Sequence, residues 1–301
     1  VVVDDGSTDD TASILERVAR EDPRLETVRI PHRGIVGALN EGLLRVNTPY
    51  IARMDADDVC HEDRLRIQEA YLDANPRCGA VDSVVTLMKS ERTGKGMVEH
   101  IRWMNSLTNW DAIRRELFVE SPMVHPAVAM RTEALVAAGG YIDEPGPEDY
   151  SLWLRMAAAG FELHKVAQEL LAWSDLPGRL TRTDPHYEAI QMHSLKAKML
   201  PQFHPGVVRE GVRIWGAGPT GKMSAKALLQ VGIPVHEFYD VDPKKLGNPI
   251  AGGIPVNSYR DLNPEGPLLL VALGSRGPKE ETRRWLCERG FIAEKNFILY
   301  S

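Results

Sequence analysis

Three groups of carboxylates stand where an apolar pattern breaks: Asp4-Asp5-Gly6-Ser7, Asp55-Ala56-Asp57-Asp58 and Glu148-Asp149-Tyr150. Asp4 and Asp5 end the run Val1-Val2-Val3, which has the composition of a buried parallel strand. Ligands of open α/β sheets bind beyond the carboxyl ends of strands, so a carboxylate here can accept hydrogen bonds from a nucleobase or ribose. The same residues suit a turn and a helix cap. Asp55 and Asp57 close the strand-like Tyr50 to Met54. Positions i and i+2 of an extended chain face the same way, so two hard oxygen ligands share one side. Mg²⁺ takes one or two carboxylates and completes its shell with phosphates and water, so the spacing suits a metal delivered with a diphosphate. A plain acidic loop is the alternative. Asp149 follows the Pro- and Gly-rich loop 143–147 and opens a helix. It is either a first-turn carboxylate favoured by the helix dipole or a general base for an acceptor hydroxyl. The dipole lowers its pKa, whereas burial beside Tyr150 and Trp153 would raise it. Together the groups describe a site that holds a nucleotide diphosphate through a divalent metal and keeps one carboxylate as base.

The elements that position them must fit 301 residues, long enough for two domains. Hydrophobic residues make up 43%, enough for a packed core. Lys plus Arg number 36 against 42 Asp plus Glu, a net charge of −6, which is a poor footprint for nucleic acid. Three scattered cysteines, Cys60, Cys78 and Cys287, argue against a disulfide framework or a cysteine zinc site and fit a reducing compartment. The longest apolar runs, such as Leu268 to Leu273, are strand-length, so no transmembrane segment and no signal peptide is expected. The opening Val1-Val2-Val3 reads as the tail of a strand, which implies upstream sequence.

The first part alternates strand and helix: helix after Asp10, strand at 25–30, helix at 37–44, strand at 50–54, helix at 64–75, strand at 80–88. A polar turn should follow Met88. This βαβα order predicts a mainly parallel sheet with flanking helices. Trp103 and Trp110, seven apart, are expected on one helical face, as core or as sugar-stacking platforms. A strand at 126–131 and a helix from 150 to Gly160 come next. Arg179 and Arg182 lie in what reads as a connecting loop, free to clamp a diphosphate or to sit solvated. His125 beside Pro126 is structural or faces the acceptor. A helix and a Pro-containing linker lead to a boundary near residue 207, giving domains 1–206 and 207–301.

The motifs Val2-Val3-Asp4-Asp5-Gly6-Ser7-Thr8-Asp9, Gly37-Ala38-Leu39-Asn40-Glu41-Gly42-Leu43, Ala52-Arg53-Met54-Asp55-Ala56-Asp57-Asp58, His125-Pro126, Gly139-Gly140-Tyr141 and Glu148-Asp149-Tyr150-Ser151-Leu152-Trp153-Leu154-Arg155 resemble, in order, the inverting family-2 glycosyltransferases. The resemblance spans about residues 1–185 and departs from the family pattern at His32, where Asn is usual. It implies the GT-A fold with its opening strand missing, a nucleotide-sugar donor, and Mg²⁺ or Mn²⁺. It assigns Asp4 and Asp5 to the donor, Asp5 at the base. It places Asp55 and Asp57 at the ribose and metal–diphosphate, and Asp149 as catalytic base. The implied reaction is transfer with inversion to a saccharide or lipid-linked acceptor, in surface polysaccharide or glycoconjugate synthesis. It would run in the cytoplasm or at the inner face of the membrane, with peripheral attachment left open.

In the second unit, Gly216-Ala217-Gly218-Pro219-Thr220-Gly221 follows the strand 212–215 and opens a helix, as a dinucleotide fingerprint requires, with Asp240 near the ribose-binding position. Gly216, Gly218, Gly221 and Asp240 are thus candidates for phosphate or ribose binding. The unit is too short for a full dinucleotide fold and reads as one Rossmann-like half. With Asp240-Val241-Asp242-Pro243 and Gly253-Ile254-Pro255-Val256 it is similar to the UDP-sugar-binding domains of bacterial sugar acyltransferases. Two other readings remain: an NAD(P)-dependent oxidoreductase built on this unit, and a non-catalytic nucleotide-sugar-binding protein.

Overall fold

The computed structural model describes residues 1–88, 94–176, 178–274 and 276–301, with backbone alone at 180 and 276–278. The polar turn expected after Met88 lies outside the described residues. The chain opens with β1 (Val2–Asp4), α1 (Thr11–Glu21), β2 (Thr27–Arg29), α2 (Gly34–Leu43), β3 (Tyr50–Ala52), β4 (Val59–Cys60), α3 (Arg64–Ala74) and β5 (Cys78–Met88). There follow α4 (Lys95–Ser106), α5 (Trp110–Glu116), β6 (Ala129–Arg131), α6 (Thr132–Ala137), α7 (Glu148–Ala158) and β7 (Glu162–Ser174). Then come α8 (Leu180–Thr183), α9 (Ala189–Phe203), α10 (Val207–Glu210), β8 (Val212–Trp215), α11 (Pro219–Gln230) and β9 (Val235–Asp240). β10 (Val256–Ser258), β11 (Leu268–Val271), α12 (Arg276–Cys287) and β12 (Phe297–Leu299) end the chain.

The architecture is α/β, as expected. Strands β1 and β2 pair in parallel, and a five-stranded sheet runs β3-β6-β5-β7-β4. Its long β5–β7 ladder is parallel, and the short β3, β6 and β4 join it antiparallel. The second sheet runs β10-β9-β8-β11-β12 and is parallel throughout.

Where a strand is expected from 126, residues 125–127 form a 3-10 turn, with Pro126 in its first positions, and only Ala129–Arg131 is strand. Two further findings depart from the expected elements. Strand β7, thirteen residues long, fills a stretch to which no element is assigned from sequence, and ends at the site. The two tryptophans do not share a helix: Trp103 is in α4 and Trp110 starts α5, because the chain breaks between them at the Asn109 N-cap, whose side chain accepts from Ala112 N–H. Both rings pack on the core, so the packing alternative holds for them.

One apolar core runs through both units, from Ala80, Leu152 and Trp153 to Ile214, Phe238 and Tyr300. Helix α9 lies between them. Its Lys196 is buried and donates to the carbonyls of Val119 (2.8 Å) and Tyr300 (3.1 Å), tying the first unit to the end of the second. A second buried tie, Lys165 on Asp82, joins β7 to β5. Asp82 also accepts from Val124 N–H at 2.9 Å and so sets the segment that carries His125.

Candidate active site

The acidic loop after β3 is held from two sides. Arg64, at the start of α3 and 1% exposed, donates through Nη2 to the carbonyls of Arg53 (2.7 Å) and Val128 (3.3 Å), and through Nε to Gln68 (3.0 Å). From the end of β7, Ser174 N–H donates to Asp58 Oδ1 at 2.8 Å, and its hydroxyl donates to the Asp57 carbonyl. Carboxylate oxygens of Asp55, Asp57 and Asp58 thereby lie within 4.8 Å of one another. Asp58 is buried with Oδ2 unpartnered; burial first, then the charges of Asp55 and Asp57, push its pKa up to about 6. An all-oxygen, hard donor set with one orphaned buried oxygen fits Mg²⁺ or Mn²⁺.

Asp55 and Asp57 open on a cavity of about 720 Å³, within the ordinary size of a small-molecule site. Asp149, Glu148, His125, Arg53, Trp173, Arg179, Arg182 and Tyr187 also line it. Asp149 stands in the first turn of α7, half-buried, with Oδ1 accepting from Tyr150 N–H at 2.7 Å. Enclosure by the cavity wall and the charge of Glu148 raise its pKa to about 7, outweighing Tyr150 N–H and Arg53. Burial opposes the charge of Glu148 as well, but the His125 contact and the Tyr187 hydroxyl more than offset it and hold that carboxyl below its usual range. His125, 6% exposed, is pushed down by burial and then by Arg53, so its 3.5 Å approach to Glu148 is that of a neutral ring.

Arg53 is a site residue that the sequence reading passed over. Its Nη2 meets Asp55 at 2.6 Å, and its Nη1 is buried without a partner. Only the lining of the cavity reveals it, since an arginine before an acidic loop carries no signal of its own. Trp173 and Tyr187 likewise show only in the lining. Asp58, named in the acidic cluster but given no role of its own, joins Asp55 and Asp57 only through its side-chain geometry. Of the two arginines, Arg179 is largely covered, with its side chain 18% exposed, whereas Arg182 remains exposed to solvent at 41%. Arg179 lies over the Trp173 ring at 4.1 Å, and Arg182 meets Asp175 at 2.6 Å.

Asp4 and Asp5 do not line the cavity. Asp4 Oδ1 accepts from Ser7 N–H at 2.8 Å. Asp5 accepts from the N–H groups of Arg33 (2.7 Å) and Gly34 (2.9 Å) and so caps α2 from a distance. Ile35, in the first turn of α2, does line the cavity. The motif residue Asn40 exchanges hydrogen bonds with the Tyr141 backbone, and Arg155 donates to the carbonyls of Ala138 and Gly140. These bonds fix the positive-φ pair Gly139-Gly140 beneath the helix that carries Asp149.

In the second unit the glycine loop sits where β8 gives way to α11, the switch point of the sheet. A Cβ at Gly216 would strike the Ala272 carbonyl, and one at Gly221 the Gly216 carbonyl, whereas nothing lies within 4 Å of one at Gly218. Asp240 is committed to its own loop: it accepts from Ala217 N–H, Asp242 N–H and Lys245 Nζ, each at 2.9 Å.

Residues 1–137 match the family model described as glycosyl transferase family 2. The chain is 32% identical over 148 residues to an uncharacterized glycosyltransferase of Haemophilus influenzae, covering 49% of this chain and 53% of that one. It is 30% identical over 166 residues to the amylovoran biosynthesis glycosyltransferase AmsE of Erwinia amylovora (54% and 60%). It is 29% identical over 138 residues to the UDP-Gal:alpha-D-GlcNAc-diphosphoundecaprenol beta-1,3-galactosyltransferase of Escherichia coli (46% and 48%). The chain thus spans about half the length of these curated relatives. The similarity to glycosyl transferase family 2 thus lies in the part of the chain that carries the acidic loop after β3, and the relatives are glycosyltransferases by name.

Proposed function

We propose that the chain transfers a glycosyl group from a nucleotide-diphosphate sugar to an acceptor hydroxyl, with inversion, in the synthesis of a surface polysaccharide or glycoconjugate. The observation that carries this is the single cavity of about 720 Å³ shared by Asp55, Asp57 and Asp149. Asp55 and Asp57, with Asp58 beside them, would hold Mg²⁺ or Mn²⁺, which when bound would supply charge neutralisation to a departing diphosphate. Arg179 and Arg182 supply further positive charge at the same wall. Asp149 takes the acceptor proton as its oxygen attacks the anomeric carbon, and its raised pKa suits that task near neutral pH. Direct attack without a covalent sugar–enzyme step inverts the anomeric centre. Asp5 shapes the donor pocket through the start of α2, whose Arg33 and Gly34 N–H groups it holds and whose Ile35 lines the cavity, while Asp4 fixes the turn before it through Ser7 N–H. Units 1–206 and 207–301 are taken as the transferase and an accessory unit, with phosphate binding at the open Gly218 face of the latter. A lipid diphosphate acceptor, as in the name of the Escherichia coli relative, is the first to try. Among the described residues no helix is long and apolar enough to cross a membrane. With the Asp240 carboxylate committed to its own loop, nothing in this geometry favours the oxidoreductase reading.

The test is release of UDP or GDP from a panel of nucleotide sugars with Mn²⁺ or with a chelator, with and without a saccharide or lipid-linked acceptor. Metal-dependent release that an acceptor accelerates supports the reading. Absence of release from every sugar, or release indifferent to chelator, refutes it.

A further inference from the structure

We propose that Glu148 is a positioning residue that pins the arginine-bearing segment 178–187 against the cavity and places a fixed carboxylate directly beside Asp149; this rests on the transferase reading above. Its carboxylate is a junction. One oxygen accepts from the Tyr187 hydroxyl at 2.6 Å, and the other faces His125 Nδ1 at 3.5 Å. The His125 Nε2 in turn meets the Tyr141 hydroxyl at 2.9 Å, and its ring stands edge-on to Trp153. Glu148 is 6% exposed, so this bonding takes place away from water, where a hydrogen bond to a carboxylate is strong.

Tyr187 ends a short turn that Asp184 closes by accepting from His186 N–H at 2.9 Å. The same segment carries Arg179 and Arg182 to the cavity wall. It is thus held at both ends: by Trp173 and Asp175 near its start, and by Glu148 near its finish. Glu148 is also the residue before Asp149. A carboxylate already charged beside it opposes a second negative charge, so Glu148 keeps Asp149 avid for a proton. The opposing charge is Arg53, from the loop after β3; His125, Tyr141 and Tyr187 complete the titratable surroundings, with Asp55 beyond Arg53. One side chain therefore links donor-side positioning to base strength. A buried glutamate that merely complemented the α7 dipole would do neither.

Three variants separate these roles. Glu148→Gln keeps an acceptor for Tyr187 but removes the charge. Tyr187→Phe keeps the ring but removes the tie. Glu148→Asp keeps the charge but is too short to reach Tyr187. Carboxyl ¹³C NMR of the substrate-free protein should show Asp149 titrating at lower pH by about one pH unit or more in Glu148→Gln, and nearly unmoved in the other two. Hydrogen exchange within 178–187 should rise in Tyr187→Phe and Glu148→Asp, and least in Glu148→Gln. With a nucleotide sugar turned over by the unaltered protein, donor KM should rise about ten-fold in Tyr187→Phe with kcat little changed. The acid limb of kcat/KM should move only in Glu148→Gln. An unmoved Asp149 titration in Glu148→Gln overturns the proposal, as does unchanged exchange of 178–187 in Tyr187→Phe. Both readouts need no substrate, so they judge Glu148 even where no sugar is turned over, a result that would sink the transferase reading alone.

Discussion

Replacing Asp149 by Asn should have opposite effects on rate and on stability. The carboxyl is enclosed at the cavity wall beside the charge of Glu148, and its pKa stands at about 7 instead of 3.8. A base of that strength is about nine-tenths ionised at pH 8 and about one-tenth at pH 6. The kcat/KM of the unaltered protein should therefore climb about ten-fold between pH 6 and pH 8 and level off above. Asn cannot accept the proton, so Asp149→Asn should lose about 10²-fold or more at pH 8, with a residual rate that no longer follows this limb. Stability runs the other way. Between about pH 4 and pH 7 the folded state keeps a proton on Asp149 that the unfolded chain releases. The contribution of this group to stability thus falls as pH rises through that window, and the charge held at pH 8 is a strain on the fold. Asn is neutral throughout, so the variant should melt above the unaltered protein at pH 8, with the gap closing toward pH 5. Nucleotide release against pH and thermal melting at pH 5 and pH 8 read both effects. Unchanged turnover in Asp149→Asn, or a variant less stable than the unaltered protein at pH 8, would refute the reasoning.

Other outcomes follow from the same structure. Gly221→Ala should lower the melting temperature by several degrees, because its Cβ collides with backbone, while Gly218→Ala, which meets no atom within 4 Å, should melt like the unaltered protein. Equal melting of the two would show that the glycine loop is not packed as described. Lys196→Met should destabilise by about 2 kcal/mol or more in chemical denaturation, since it strands the buried carbonyls of Val119 and Tyr300. A midpoint unchanged in that variant would mean the two units are not tied there. Lys165→Met should cost about 3–5 kcal/mol by leaving Asp82 charged and unpaired in the core, read by the same denaturation; a variant within 1 kcal/mol of the unaltered protein would contradict it.

How much of this was legible in the sequence depended on distance along the chain. The acidic clusters could be read because each packs its chemistry into a few consecutive residues at a strand end or helix start. Asp55, Asp57 and Asp149 do share a cavity. Asp5 could not be placed, since its partners, Arg33 and Gly34, lie a helix and a strand away. Strand β7 escaped because its alternation is disturbed where its pairing with β5 shifts register around Ser83 to Val85. With β7 unread, Ser174 as the clamp on the acidic loop and Trp173 as the seat of Arg179 were invisible. Periodicity joined Trp103 to Trp110 because a spacing of seven does not register the helix break at Asn109. The glycine fingerprint was placed correctly on a strand–helix turn. Its acid Asp240 was not foreseeable as a partner of its own loop, because a carboxylate near the ribose position looks the same whether a ligand or a backbone N–H takes it.

The central claim is that carboxylates from the loop after β3 hold a divalent cation on the diphosphate of an activated sugar. Isothermal titration of the protein with UDP and with GDP, in Mn²⁺ and in chelator, tests it most directly. One of the two nucleotides should bind in Mn²⁺, weaken at least about ten-fold on chelation, and lose that metal dependence in Asp57→Asn. Binding that is equally tight with and without metal, or untouched by Asp57→Asn, would contradict it.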